Sequence, residues 1–131
     1  MSQDPVIVFV CEHGAAKSIV AAAYFNKLAG AIGLDLQAIA RGTNPDNELS
    51  RPAIKGLLED GLMAIESTPQ KLTQADIQSA QRVISFCELP IEYQQQATVE
   101  RWENVPPVSE NYEKAREAII ERIDHLVSQI K

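Results

Sequence analysis

Cys11-Glu-His-Gly-Ala-Ala-Lys17-Ser18 is the segment whose residue types and spacing can do chemistry. A thiol stands first, a lysine and a serine stand last, and the residues between them are enough to curl the backbone into a ring. Successive N–H groups around such a ring, with a helix N-terminus behind them, make a nest for a tetrahedral oxyanion. Gly14 supplies the positive φ that the curl requires. The oxyanion-binding residues are then Glu12, His13, Gly14, Ala15, Ala16 and Lys17. The same field favours a thiolate at Cys11, because a helix N-terminus and a neighbouring cation, Lys17, both stabilise negative sulfur. The Ser18 hydroxyl can donate to that sulfur, stabilising it as an anion and as a leaving group. Glu12 works against it unless its side chain points into water.

Blander readings stand beside this one. Cys11 can be a small buried hydrophobe at a strand end, and Lys17 an ordinary helix-start lysine, although a cation is unfavourable at that end of a helix dipole. His13 reads as a solvated loop imidazole; metal binding through Cys11 and His13 lacks a further ligand cluster, so neither a metal nor a cofactor is expected. Lys17-Ser18 mimics the end of a nucleotide P-loop, but Cys11 and Ala16 occupy the places of its glycines. Arg41 is either a second cation near the mouth of the site or a strand-end charge. His125 falls on the surface of the last helix, and Glu113 to Glu121 is a solvated helix face.

The elements that position the loop follow from pattern. Val6 to Val10 is an uninterrupted β-branched and aromatic run, as in a central strand buried on both faces of a parallel sheet. Lys17 to Leu28 is alanine-rich and lacks Gly and Pro, and Gly30 and Gly33 follow it, so it reads as a helix and its stop. Leu34 to Ala40 predicts a second strand, with a turn-rich loop, Gly42 to Asn47, at its carboxyl end. Arg51 to Glu59 predicts a helix with Pro52 in its first turn, capped by Ser50 and stopped by Gly61. Leu62 to Ile65 predicts a short strand, Thr73 to Ile77 a brief helix with a capping hydroxyl, and Arg82 to Cys87 a fourth strand. From near Ser109 to the end, apolar residues recur at helical spacing. Strands alternating with helices predict a single doubly wound α/β domain over residues 1–131, with a four-stranded parallel sheet and helices on both faces. Ligands of such folds bind beyond the carboxyl ends of the strands, where Cys11 falls.

Composition narrows the partners. The 131 residues carry twelve basic and eighteen acidic side chains, a formal charge of −6, which disfavours nucleic-acid and anionic-membrane partners held by net charge. Neither a signal peptide nor a membrane span is expected, because the first apolar run is too short and its polar leader has no basic region, so the cytoplasm is the default location. The two cysteines, Cys11 and Cys87, cannot form a disulfide framework; they act singly or as one redox pair.

In its loop and in the order of its segments the chain resembles the low-molecular-weight protein tyrosine phosphatases and the arsenate reductases that share their fold, whose loop is Cys, five residues, Arg, Ser. The resemblance rests on the strand before Cys11, Gly42-Thr43, Pro52-Ala-Ile with Glu59-Asp-Gly61, Leu72-Thr-Gln-Ala-Asp-Ile77, and the segment Trp102 to Pro107. It implies that Cys11 attacks a small oxyanion, arsenate or phosphate, or a phosphate monoester. His13 and Cys87 look more like the arsenate reductase side, where a thiol near Cys87 resolves the oxidised nucleophile; the alternative for Cys87 is a core residue. Thioredoxin, glutaredoxin or a low-molecular-weight thiol is the implied reductant. The chain departs from the family pattern twice. Lys17 replaces the loop arginine and loses its two-pronged grip on oxyanion oxygens. Pro106 stands where the family has its general-acid aspartate, so only activated aryl phosphates should turn over well unless Glu103 or Glu110 substitutes. Arsenate reduction is slightly favoured over the phosphatase reading, and a catalytically weak sensor that binds an oxyanion or a phosphorylated ligand is the alternative from another class.

Overall fold

Val6-Ile-Val-Phe-Val10 can be apolar without interruption because both of its faces are covered. In a computed structural model of the chain, which describes residues 6–94 and 99–130, Ile7, Val8, Phe9 and Val10 of β1 (Val6–Cys11) are fully buried. The chain continues through α1 (Lys17–Ile32), β2 (Gln37–Gly42), α2 (Arg51–Glu59), α3 (Gln74–Ser79), β3 (Ala80–Ser85), α4 (Ile91–Gln94), β4 (Val99–Arg101) and α5 (Tyr112–Ile130). The sheet order is β2-β1-β3-β4, all parallel. From β1 the chain first steps to β2 on one side and then crosses to β3 on the other. The reversal opens a crevice beyond the carboxyl ends of β1 and β3. The four-stranded parallel α/β architecture expected from the sequence is the one observed.

Alternate β1 residues feed two cores. Ile7, Phe9 and Cys11 join Ile84, Phe86 and Trp102 under α1, α2 and α5. Val8 and Val10 join Val83, Leu72, Ile77 and Leu89 on the other face, beside α3. Phe9 anchors the larger core, its ring centroid 5.5 Å from Trp102 and 6.2 Å from Phe25. Emptying such a position to alanine costs about 3–5 kcal/mol. The exposed edge of β2 is covered by Asn26 of α1, whose side-chain amide donates to the Ala38 carbonyl and accepts from the Ala38 N–H.

Several boundaries differ from expectation. Leu62 to Ile65 is irregular: Met63 is 77% exposed, and the chain makes its bridge to Gly42 later, at Lys71. The fourth strand is instead Val99–Arg101, a short polar edge strand that no apolar run announces. β3 ends at Ser85, so Cys87 lies past the strand rather than finishing it. β2 starts later than the expected Leu34, and α5 begins at Tyr112 rather than Ser109. The caps are as expected, with Ser50 accepting from the Ala53 N–H and Thr73 forming a reciprocal capping box with Asp76. The polar leader ahead of Val6 and the final Lys131 lie outside the described residues. Among the described residues, no helix is long and apolar enough to cross a membrane.

Candidate functional site

Cys11 closes β1 and Lys17 opens α1, so strand and helix fix both ends of the intervening loop. Gly14 turns it with φ +62°. Four of the loop's carbonyls are tied to the segment after β2. Thr43 N–H donates to the Cys11 carbonyl at 3.3 Å, Asn44 to Glu12 at 2.7 Å, Asp46 to His13 at 3.0 Å and Ser50 to Ala15 at 2.9 Å. None of the corresponding N–H groups from Glu12 to Lys17 donates to a backbone or side-chain acceptor among the described residues. α1 adds its own first-turn amides, since Ala16 at its N-cap offers no side-chain acceptor and the first turn has no acidic residue. Carbonyls are engaged and amides are left without a protein acceptor among the described residues, which suits the binding of an anion.

Cys11 borders the cleft that this loop lines. Cys11 is 8% exposed, and its Sγ lies 3.0 Å from the Oγ of fully buried Ser18. A hydroxyl in that position can donate to a thiolate. Lys17 is half-buried on the same cleft and pairs with no carboxylate among the described residues. Glu12 points outward, its side chain 64% exposed, so its charge is screened by water. Gly14 and Gly42 press backbone against backbone: a Cβ on Gly42 would lie 2.7 Å from the Gly14 nitrogen. That contact locks the loop to β2.

The cleft over the ring has a volume of about 430 Å³, within the range of small-molecule pockets. Cys11, Glu12, His13, Ala15, Ala16 and Lys17 line one side, and Phe86, Cys87, Pro107, Val108 and Ser109 the other. The two cysteines thus share a cleft, although Cys87 packs against the core on the opposite face of the sheet from Cys11. Its sulfur lies 3.6 Å from the Ser85 hydroxyl. Both thiols are free.

The structure bears on two alternatives that the sequence left open. Glu103 and Glu110 are exposed and do not line the cleft. Their segment is anchored by buried Trp102, Val105 and Val108, and Asn104, with φ +65°, turns the backbone between them. Of the two readings of Arg41, the strand-end charge is the one observed: it is clamped between Glu66 at 2.9 Å and Asp76 at 3.1 Å. His13 is an exposed loop imidazole, as expected, with its Nδ1 3.2 Å from Asp46 Oδ1 and its Nε2 3.6 Å from Glu12 Oε2. Asp46 and Ser50 were missed in the sequence. Their signal was available in the turn Asn44-Pro-Asp46 after β2, because loops at adjacent carboxyl ends of a parallel sheet converge. Among the described residues, no three His, Cys, Asp or Glu side chains gather into a metal-holding group.

Away from the cleft, Asp60 collects three donors: the hydroxyls of Tyr24 and Tyr112, the latter at 2.9 Å, and Arg116 at 3.0 Å. Burial and the hydrogen bond to Asp60 push the Tyr24 hydroxyl up to about 12 and Tyr112 higher still. Burial by itself would raise Asp60, but the three donors hold it below its ordinary value. The knot ties α1 and α2 to α5 and has no part in the cleft.

Residues 6–124 match the family model described as low molecular weight phosphotyrosine protein phosphatase. Among solved structures, the chain is similar to YfkJ from Bacillus subtilis, at TM-score 0.83 and 18% identity over 98% of this chain and 96% of that one. It is similar to an arsenate reductase from Archaeoglobus fulgidus, at TM-score 0.74 and 26% identity over 93% and 98%. A low molecular weight protein tyrosine phosphatase from T. tengcongensis aligns at TM-score 0.78 and 19% identity over 95% and 99%.

Proposed function

This chain belongs to the low molecular weight phosphotyrosine protein phosphatase family, and from that premise we propose that it performs thiolate chemistry on a tetrahedral oxyanion, Cys11 attacking and residues 12–17 holding the oxygens. One observation carries the reading. The carbonyls of Cys11, Glu12, His13 and Ala15 are bound by the segment after β2, while the amides of Glu12 to Lys17, which follow buried Cys11, are left without a described protein acceptor. Lys17 supplies charge to the bound anion, and Ser18 stabilises the sulfur on attack and on departure.

Arsenate reduction is the favoured form, because a second thiol, Cys87, borders the same cleft. The Cys11 thiolate attacks As(V), an As–O bond breaks, and the departing hydroxide takes a proton and leaves as water. A second thiolate, from Cys87 or from thioredoxin, glutaredoxin or a small thiol, then attacks the Cys11 sulfur. A disulfide forms, the electron pair of the S–As bond passes to arsenic, and arsenite is released. The apolar wall of Phe86, Pro107 and Val108 supports a second reading, hydrolysis of aryl phosphate monoesters through a thiophosphate at Cys11.

Thiol-dependent arsenate consumption, p-nitrophenyl phosphate turnover and phosphate binding, each measured on wild type beside Cys11→Ser, test this function. Loss of activity in the variant is expected. Arsenate consumption that survives Cys11→Ser overturns the reductase, and oxyanion binding with neither activity makes the chain a sensor.

A further inference from the structure

Between α1 and α5 lies a groove of about 250 Å³, walled by Tyr24, Leu28 and Ala31 from the first helix and by Ile120 and Ile123 from the second. Exposed Ile32 prolongs the α1 wall one turn beyond Leu28. The charged side chains on the groove are Lys27 from α1 and Asp124 from α5, both exposed. Among the described residues Lys27 pairs with no carboxylate and Asp124 with no cation. The Lys27 ammonium lies instead 5.9 Å from the centroid of the Tyr24 ring. We propose that a second copy of this chain docks on the groove about a two-fold axis, with Lys27 of each copy opposite Asp124 of the other.

Opposite signs on the two walls make this face complementary to itself. In an interface with two-fold symmetry every contact between two different residues is made twice, so one pairing of Lys27 with Asp124 supplies two ion pairs. Each copy carries a formal charge of −6, and like net charges oppose their approach. A face on which two copies meet must therefore supply attraction locally, and an unpaired lysine facing an unpaired aspartate does so. The same contact removes Leu28, Ala31, Ile32 and Ile120 from water, which gives it an apolar centre between charged ends. Exposed ion pairs contribute little and a groove of this size is a small face, so the dimer is reversible and weakens with salt.

The groove is set before a partner arrives. The Tyr24 hydroxyl donates to Asp60, which also accepts from Tyr112 and Arg116 of α5, so the two walls are tied to one carboxylate. Walls held in this way lose little further freedom on docking. The cleft stays open, because Lys17 borders the cleft and Lys27 the groove, ten residues further along α1 and about 15 Å away by helical rise. The inference is therefore independent of the chemistry at Cys11.

Sedimentation velocity over a wide range of protein concentration, at low and high salt, tests the proposal. A reductant is present throughout, so that no disulfide joins the copies. Wild type is expected to pass from monomer to dimer as concentration rises, with weaker association at high salt. Lys27→Glu and Asp124→Lys each set like charges opposite one another at both contacts and should weaken association by about tenfold or more. An equal mixture of these two variants has opposite signs at both contacts and should associate about as well as wild type. Ala31→Glu, at an exposed position of the apolar wall, should also dissociate the dimer. Urea midpoints close to wild type in all three variants exclude misfolding as the cause. A wild type that is monomeric at every concentration overturns the inference and leaves the groove to a different protein or to water. A dimer indifferent to both charge reversals, or a mixture that associates no better than either variant alone, overturns it as well.

Discussion

Replacing Gly42 with alanine probes how the anion-binding loop is held. A Cβ there would stand 2.7 Å from the Gly14 nitrogen, 2.8 Å from the His13 carbonyl carbon and 2.9 Å from the Gly14 Cα. Such contacts need about 3.5 Å, so the two loops must part by roughly 0.8 Å. All three neighbours are backbone atoms, and no rotamer change relieves the clash. The separation falls on the hydrogen bonds from Thr43, Asn44 and Asp46 that engage the loop carbonyls, the first already long at 3.3 Å. Overpacking of this kind costs about 1–3 kcal/mol. For a chain of this size that lowers Tm by roughly 3–6 °C per kcal/mol. Since a 1 Å misplacement of reacting groups can cost about 10²-fold in rate, a shift of this size should slow Cys11-dependent turnover by about tenfold or more. Gly30→Ala is the internal control: Gly30 is exposed in α1, nothing lies within 4 Å of its Cβ, and alanine there should be neutral or stabilising. Urea denaturation and turnover, measured on both variants, give the comparison. Gly42→Ala with wild-type stability and wild-type turnover would refute the account of a loop locked by glycine contact.

Three further outcomes follow from the same geometry. Lys17→Arg should tighten phosphate binding and Lys17→Ala weaken it, by isothermal titration, because a planar fork grips two oxyanion oxygens where an ammonium supplies a point charge; the reverse order would remove Lys17 from the site. Ser18→Ala should lower Cys11-dependent turnover by about 10- to 100-fold, the worth of one charge-assisted hydrogen bond of roughly 1.5–3 kcal/mol, and steady-state kinetics with no loss would disprove the Sγ–Oγ contact as functional. With Tyr24 raised from 10.0 to about 12, the folded state prefers its protonated hydroxyl. That stability is complete below pH 10 and is lost as pH rises toward 12; Asp60, held low, gives the opposite window and loses its share as pH falls through its folded value. Tyr24→Phe should therefore flatten the alkaline slope in chemical denaturation, and an unchanged slope would contradict the Asp60 knot.

Local pattern went far in this chain. The unbroken apolar run of β1, the alanine-rich α1, the caps at Ser50 and Thr73 and the helical spacing of α5 all reflect forces that act within a few residues, and each element is present. The loop from Cys11 to Ser18 was equally legible, since its ring closes between the strand and the helix that immediately flank it. Val99–Arg101 escaped notice because an edge strand needs only one partner and can be polar. Leu62 to Ile65 misled for the converse reason, as apolar residues without a sheet neighbour remain coil.

What the sequence determined by itself was the chemistry within reach of one short segment: a thiol, its hydroxyl partner, a cation and a curl of amides. Only the tertiary structure decided what faces that segment. The β2-β1-β3 order brings Asp46 to His13 and sets Cys87 and the Pro107–Ser109 wall across the cleft, while Glu103 and Glu110 stay outside and Arg41 is drawn to Glu66 and Asp76. Those are meetings between distant parts of the chain, arranged by sheet order and core packing, and no spacing along a single sequence encodes them.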